Sequence, residues 1–145
     1  MTEAQLEEWG ARIGSTVITP VFLALSGELG AGKSVLARAI ARGAGVNAVM
    51  PSPTYNLMFR YDSGRGVAVV HLDLYRLERA QEVWELGWRE LGADDEIVIV
   101  EWPERAEDLL PPDRWDIRLE VRGPALRTVT GTAFGQVPAL PMPEA

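Results

Sequence analysis

The sequence predicts an α/β domain, and three observations predict it. A short apolar run, Val21-Phe22-Leu23-Ala24-Leu25-Ser26, leads into a glycine-rich turn and then into a segment with helical spacing. A second run, Ile97-Val98-Ile99-Val100, is made only of β-branched residues, as expected of a strand buried on both faces. The chain of 145 residues suffices for one compact domain with a hydrophobic core, but not comfortably for two.

The elements follow in order. Thr2 to Gly14 reads as a helix with Thr2 as N-cap, Leu6, Trp9 and Ile13 on one face, and Gly14 as its end. Val21 to Ser26 is the first strand. Lys33 to Ala44 is a helix rich in Ala, Leu and Arg, with Val35, Leu36, Ala39 and Ile40 on one side and Gly43 and Gly45 as stop signals. Pro51-Ser52-Pro53-Thr54 breaks structure before a strand over Tyr55–Tyr61. Asp62 to Gly66 is a turn, and Val67 to Leu72 returns as an antiparallel partner. Leu77 to Leu86 reads as a helix, with a short helix or turn over Trp88–Leu91. Ile97 to Val100 is a strand, and Pro103 to Leu110 a short helix opened by proline and stopped by Pro111-Pro112. Asp116–Val121 and Leu126–Phe134 are the last strands, turning at Gly123-Pro124. The expected domain spans 1–135, and 136–145, rich in Pro and Ala, reads as a disordered tail. There is no internal repeat and no linker.

Composition narrows the function. With 47% hydrophobic and 24% charged residues, this is an ordinary soluble globular chain. No apolar run approaches the ~20 residues needed to cross a bilayer, and the acidic start Met1 to Glu8 lacks the layout of a signal peptide. The absence of cysteine removes disulfides and thiolate metal sites and suits a cytoplasmic protein, while a single histidine rules out a multi-histidine metal centre. The net charge of −7 opposes tight binding to tRNA or DNA phosphates.

The glycine-rich turn carries the chemistry. Gly27-Glu28-Leu29-Gly30-Ala31-Gly32-Lys33-Ser34 fits the P-loop pattern G-x-x-x-x-G-K-[ST] at every fixed position. Lys33 is the only lysine in the chain; every other basic side chain of the Lys/Arg type is arginine. A compact ammonium can follow phosphate oxygens where a planar guanidinium would not fit. The glycines let backbone N–H groups turn inward around those oxygens, and Ser34 offers a hydroxyl to Mg²⁺. The strand before and the helix after are the context such a loop needs. The candidate nucleotide-binding residues are therefore Glu28, Leu29, Gly30, Ala31, Gly32, Lys33, Ser34 and Val35.

Hydrolysis at a P-loop also needs an acidic residue at the end of a neighbouring buried strand. Glu101, directly after Ile97–Val100, stands there, whereas Asp94 and Asp95 lie at the wrong end. In His71-Leu72-Asp73-Leu74-Tyr75-Arg76, Asp73 is either a second carboxylate at the same sheet edge or, with His71, a cap on a strand-to-helix turn; spacing alone does not separate these. Arg76 can face phosphate or a partner carboxylate. Thr54, on the loop after the first βα unit, takes the place of a switch-loop threonine that senses γ-phosphate and Mg²⁺. Trp102 is either core or a surface beside the site.

Taken together, Gly27–Ser34, Ser52-Pro53-Thr54, His71–Arg76 and Glu101-Trp102-Pro103-Glu104 resemble, in order and spacing, the TsaE (YjeE) family. This is a family of small bacterial ATPases required for threonylcarbamoyladenosine synthesis in tRNA. The resemblance runs from Leu6 to Val121. The D-L-Y-R-L and E-W-P-E blocks make it specific. It implies a single-domain P-loop NTPase with a mixed, mainly parallel sheet flanked by helices. It implies ATP and Mg²⁺ as ligands, with Lys33 on phosphates and Ser34, Asp73 and Glu101 around the metal. Lys33, Asp73 and Glu101 are then the catalytic candidates. It further implies docking on TsaD and TsaB, weak ATPase activity alone, a resetting role for hydrolysis, and an N-terminal region near Gly14 to Thr16 lying by the adenine. Ser34 stands where the family more often has Thr, and Tyr55 where Phe is usual. A small-molecule kinase and a non-hydrolysing nucleotide switch are the rival readings; the stretch from Arg76 to Ile97 holds no insertion long enough for a kinase lid.

Overall fold

A computed structural model of the chain describes residues 1–47, 57–92 and 95–143. Ser52-Pro53-Thr54, Tyr55 and Asp94 lie outside the described residues, and so does the reading of Thr54 as a nucleotide-sensing residue.

The strands are β1 (Val21–Gly27), β2 (Met58–Asp62), β3 (Ala68–Asp73), β4 (Glu96–Glu101), β5 (Arg114–Val121) and β6 (Arg127–Phe134); the helices are α1 (Glu3–Thr16) and α2 (Lys33–Ala44). They form one sheet in the order β2-β3-β4-β1-β5-β6. β3, β4, β1 and β5 run parallel, while β2 and β6 pair antiparallel at the edges. This is the mixed, mainly parallel sheet that the sequence predicts.

Strand periodicity decides what each face covers. Leu23, Leu25, Ile97, Ile99, Val69, Ile117 and Leu119 point to one face, where Leu6, Trp9 and Ile13 of α1 and Leu36 and Ile40 of α2 cover them. Phe22, Val70, Leu72, Val98 and Val100 point to the other, where Leu77, Val83, Trp88 and Ala106 lie. Every residue of β4 is buried, so the strongest apolar run in the sequence becomes a central strand.

On the second face the expected helices are 3₁₀ turns, Ala80–Leu86 and Pro103–Leu109, with a further turn at Trp88–Glu90. The apolar residues explain the difference. Ala80, Val83 and Leu86, and likewise Pro103, Ala106 and Leu109, recur every third residue, which matches three residues per turn rather than 3.6.

Gly14 does not end α1, which continues to Thr16, and Gly43 does not end α2. Both lie between the helices. A Cβ on Gly14 would stand 1.9 Å from the Ile40 carbonyl oxygen, and one on Gly43 would stand 2.1 Å from that of Ala11. Gly45 supplies the actual stop, its N–H bonded to the Arg42 carbonyl. Residues 135–143 form no strand or helix, but they are held against the domain rather than hanging loose. The indole N–H of Trp115 donates to the Pro138 carbonyl and that of Trp9 to the Pro141 carbonyl, each at 2.8 Å, and Leu140 packs against the core. An indole N–H withdrawn from solvent needs an acceptor, and this segment provides two.

Gly43→Ala should therefore destabilise the fold by about 1–3 kcal/mol, because the backbone clash outweighs the roughly 1 kcal/mol gained in helix propensity. Denaturant titration of the two proteins checks this; an unchanged or raised midpoint would mean the helices can part without cost.

Candidate functional site

β1 leaves the sheet at Gly27, where φ is +144° and a Cβ would stand 2.4 Å from the Leu119 carbonyl oxygen of β5. Only glycine lets the chain turn there. The Ala31 N–H then donates to the Glu28 carbonyl at 3.1 Å, closing the turn, and Gly32 enters α2 at φ +110° without a capping side chain. The first N–H groups of a twelve-residue helix are thus left for an anion. A cavity of about 240 Å³ opens at this point, between Leu29, Gly30, Gly32, Lys33, Ser34 and Val35 on one side and Asp73, Tyr75, Glu101 and Trp102 on the other. Another cavity, of about 260 Å³, lies at the opposite end of the strands around Pro20, Pro111 and Pro138, but Asp113 is the only ionisable group lining it. The chemistry is concentrated in the first.

The carboxylates arrive by register. Asp73 and Glu101 are aligned partners at the ends of β3 and β4, and Glu101 is aligned with Leu25 on β1. The chain leaves β1 through α2 on one face and leaves β4 through Pro103–Leu109 on the other. Their adjacent C-terminal ends therefore form the crevice where open α/β sheets bind ligands.

Glu101 is buried, with 2% of its surface exposed, and both its oxygens are engaged. Oε1 accepts from the Ser34 hydroxyl at 3.0 Å, and Oε2 meets His71 Nε2 at 2.5 Å. His71 is equally buried, and its Nδ1 has no hydrogen-bond partner. The ring thus holds one oxygen of Glu101 and leaves the other to the P-loop.

Asp73 serves both alternatives that spacing left open. Its Oδ1 accepts from the Tyr75 N–H at 3.0 Å, capping the turn, and the same carboxylate lines the cavity. Burial pushes its carboxyl above the usual carboxylate range; the Glu101 charge adds to this, while the Tyr75 N–H, His71 and Lys33 oppose it.

Lys33 is 4% exposed. Its ammonium donates to the Gly27 carbonyl at 2.5 Å and lies 3.3 Å from the centre of the Trp102 ring. Burial lowers its pKa, against the raising effect of Glu101, Glu104 and Asp73. Trp102 takes a left-handed backbone, φ 58°, which places its ring over Lys33 and 4.9 Å from the ring of Tyr75. It is a wall of the site and also packs against the core of the second face.

Arg76 is exposed and makes no hydrogen bond or ion pair among the described residues. Asp95 lies at the opposite sheet edge, where its carboxylate accepts from the Thr19 hydroxyl at 3.2 Å. α1 runs parallel to α2, so Gly14 sits by Ile40 and Ala44, about 12 Å along α2 from the P-loop. Leu6 and Arg127 are what approach the loop there, since a Cβ on Gly32 would stand 2.9 Å and 2.7 Å from their side chains. Arg127 was not a candidate in the sequence, because nothing local marks the first residue of an edge strand as a neighbour of the P-loop.

A carboxyl whose pKa is raised by folding gives stability below its unfolded pKa and loses it as pH rises through the folded value. Asp73→Asn, neutral at every pH and still able to accept from Tyr75, should melt higher than the wild type at neutral pH. The gap should close on acidification toward about pH 4. Paired thermal melts across that range check this; a variant less stable at neutral pH would show that the Asp73 charge is favoured in the fold.

Residues 1–129 match the family described as threonylcarbamoyl adenosine biosynthesis protein TsaE. Relatives named tRNA threonylcarbamoyladenosine biosynthesis protein TsaE include that of Bacillus subtilis, 34% identical over 78% of this chain and 70% of its own length. That of Streptomyces coelicolor is 32% identical over 90% of this chain and 92% of its own. The crystal structure of YdiB from Bacillus subtilis superposes with a TM-score of 0.78 at 25% identity, covering 93% of this chain and 82% of that one. With the family matched over residues 1–129 and relatives of that name 32% and 34% identical over most of the chain, this chain belongs to the TsaE family.

Proposed function

We propose that the chain is the ATP-binding and ATP-hydrolysing subunit of the bacterial machinery that makes tRNA N6-threonylcarbamoyladenosine, working in the cytoplasm on a complex of TsaD and TsaB. The observation that carries this reading is the contact of the P-loop hydroxyl of Ser34 with Glu101, beside Asp73 and above Lys33, in one cavity. The names of the relatives supply the pathway.

The residues suit Mg²⁺. A hydroxyl and two carboxylates are hard oxygen donors, and Asp73 carries a pKa raised in part by the Glu101 charge, a repulsion that a cation relieves. When bound, Mg²⁺ supplies charge neutralisation at the phosphates.

The chain's own groups do the rest. The N–H groups of Gly30 and of Gly32 to Val35 receive phosphate oxygens, while that of Ala31 closes the turn on Glu28. Lys33 exchanges the Gly27 carbonyl and the Trp102 face for those oxygens, so part of its binding energy offsets the loss of these two contacts. Glu101, aimed by His71, orients the metal or the attacking water. The 3₁₀ turns between Ala80 and Glu90 are packed on the sheet, which favours an ATPase over a kinase with a mobile lid.

Around the cavity Leu29 is 76% exposed and Tyr75 44% exposed, an apolar rim suited to burial by a partner protein. A net charge of −7 leaves tRNA contact to others.

Lys33→Ala should lose both binding and hydrolysis. Glu101→Ala should keep ATP affinity within about tenfold while lowering turnover by about 100-fold, since its effect is concentrated where charge develops. Calorimetry and phosphate release in the presence of TsaD and TsaB separate the two, and normal hydrolysis by Glu101→Ala would overturn its role. Pull-downs under ATP, ADP and no nucleotide should show retention by TsaD–TsaB that depends on the nucleotide, alongside no tight tRNA shift at physiological salt. Tight tRNA binding without partner association would reverse the assignment.

A further inference from the structure

β6 ends the sheet with most of its outer side open. Only its first residue is covered: the Arg127 N–H donates to the Met1 carbonyl at 3.0 Å, and the Met1 ammonium donates to the Arg127 carbonyl at 2.9 Å. Alternate residues of a strand direct their backbone groups to the same side, so those of Val129, Gly131 and Ala133 also face away from β5. No other element bonds to them among the described residues.

Sheet edges are commonly defended by charge, proline, a bulge or shortness. β6 has none of these. It runs for eight residues in unbroken register with β5, and Arg127 is its only charged residue. Residues 130–134 are all exposed, Phe134 to 40%. The other edge, β2, is five residues long and exposes Arg60 and Asp62. With a net charge of −7, two copies of the chain approach most easily where neither presents charge.

A second copy, turned about a two-fold axis through Gly131, fits this edge. Antiparallel pairing then sets Gly131 opposite Gly131 and Val129 opposite Ala133, each pair exchanging backbone hydrogen bonds. Thr130 comes opposite Thr132 of the second copy in the closer, non-hydrogen-bonded positions, where threonines pair favourably. Charge selects the same register. Within one copy Arg118 is aligned with Thr130, Asp116 with Thr132, Glu120 with Thr128 and Arg114 with Phe134. Each row across the joined strands therefore runs from Arg118 to Asp116 of the second copy, or from Glu120 to its Arg114. Opposite charges end every row. An axis through Thr130 would instead end them on Arg118 and Arg118, or on Asp116 and Glu120. These charges stand about 14 Å apart, three strand spacings, so they choose register more than they add affinity.

We propose that the β6 edge is an interface with a second copy of this chain, joining the two sheets into one of twelve strands, six from each copy. One strand edge buries less than about 1,200 Å² in total, which makes the dimer weak and reversible. It is independent of the nucleotide-binding reading. β6 lies on the other side of β1 from Asp73 and Glu101, so the crevice stays open in the dimer.

The test is sedimentation of the full chain over a range of concentrations, with melting temperatures to confirm folding. The wild type should pass from monomer to dimer at about micromolar concentrations or above. Ala133→Pro removes an outward N–H without touching the β5 ladder and should stay monomeric at every concentration. The register is read by disulfide trapping, which the absence of native cysteine makes clean. Opposed residues at non-hydrogen-bonded positions have Cα atoms about 4.5 Å apart, within disulfide reach. The double variant Thr130→Cys with Thr132→Cys should therefore link into a dimer under mild oxidation, and Thr130→Cys alone should not. A wild type that stays monomeric at its highest soluble concentration would overturn the proposal and leave the edge to an extended segment of another protein. A dimer that survives Ala133→Pro would place the contact elsewhere and overturn it too. Should Ala133→Pro fail to fold, the cysteine variants decide: linking by Thr130→Cys alone as fast as by the double variant would overturn the two-fold at Gly131.

Discussion

The carboxylate of Glu101 has to be satisfied inside the protein, and much of the site follows from that requirement. A carboxylate at the end of a fully buried strand loses its hydration and must regain it as hydrogen bonds. His71 on the neighbouring strand and Ser34 at the start of α2 provide them. One side chain thereby ties β3, β4 and the P-loop helix together at the crevice. The buried pair also explains why the only histidine of the chain stands in the core, on the strand next to Glu101.

Around that fixed point the site is electrostatically unsettled. Asp73 is held near Glu101 with its carboxyl pushed upward, and Lys33 is buried with its ammonium pushed downward. Lys33 rests on a backbone carbonyl and an aromatic face, contacts weaker than a phosphate would make. Both groups would gain from an anion and a cation arriving together, the pairing that the proposed Mg²⁺ and ATP would bring. Trp102, in a backbone conformation rare for a bulky residue, is where this strain is visible.

Helix packing sets the other boundary of the site. Gly10, Gly14 and Gly43 bring α1 and α2 so close that backbone meets backbone, and they fix the two helices parallel. The N-terminus of α1 is thus carried to the N-terminus of α2, where Leu6 underlies Gly32. Met1 then pairs with Arg127, closing the sheet edge onto the P-loop. A substitution at Gly43, far from the phosphates, would reach them through this parallel alignment.

The sequence by itself determined the elements and the two ends of the chemistry. The P-loop, the strands Val21–Ser26 and Ile97–Val100, and Glu101 at the right strand end were legible because each is encoded locally, by spacing, β-branching or the demands of a turn. It also read α2 over the residues it occupies. Tertiary structure decided whatever depends on which neighbour fills a space. Gly14 and Gly43 look like helix stops in a linear reading but are contact points, since only a second helix reveals the need for a missing Cβ. Whether Asp73 capped a turn or faced the site was undecidable from spacing, and β3–β4 register made it do both. The two tryptophans that anchor the last residues, and the approach of Arg127 to Gly32, join segments distant in the chain. No local pattern encodes such pairs; they exist only when the sheet closes and buried donors have to find acceptors.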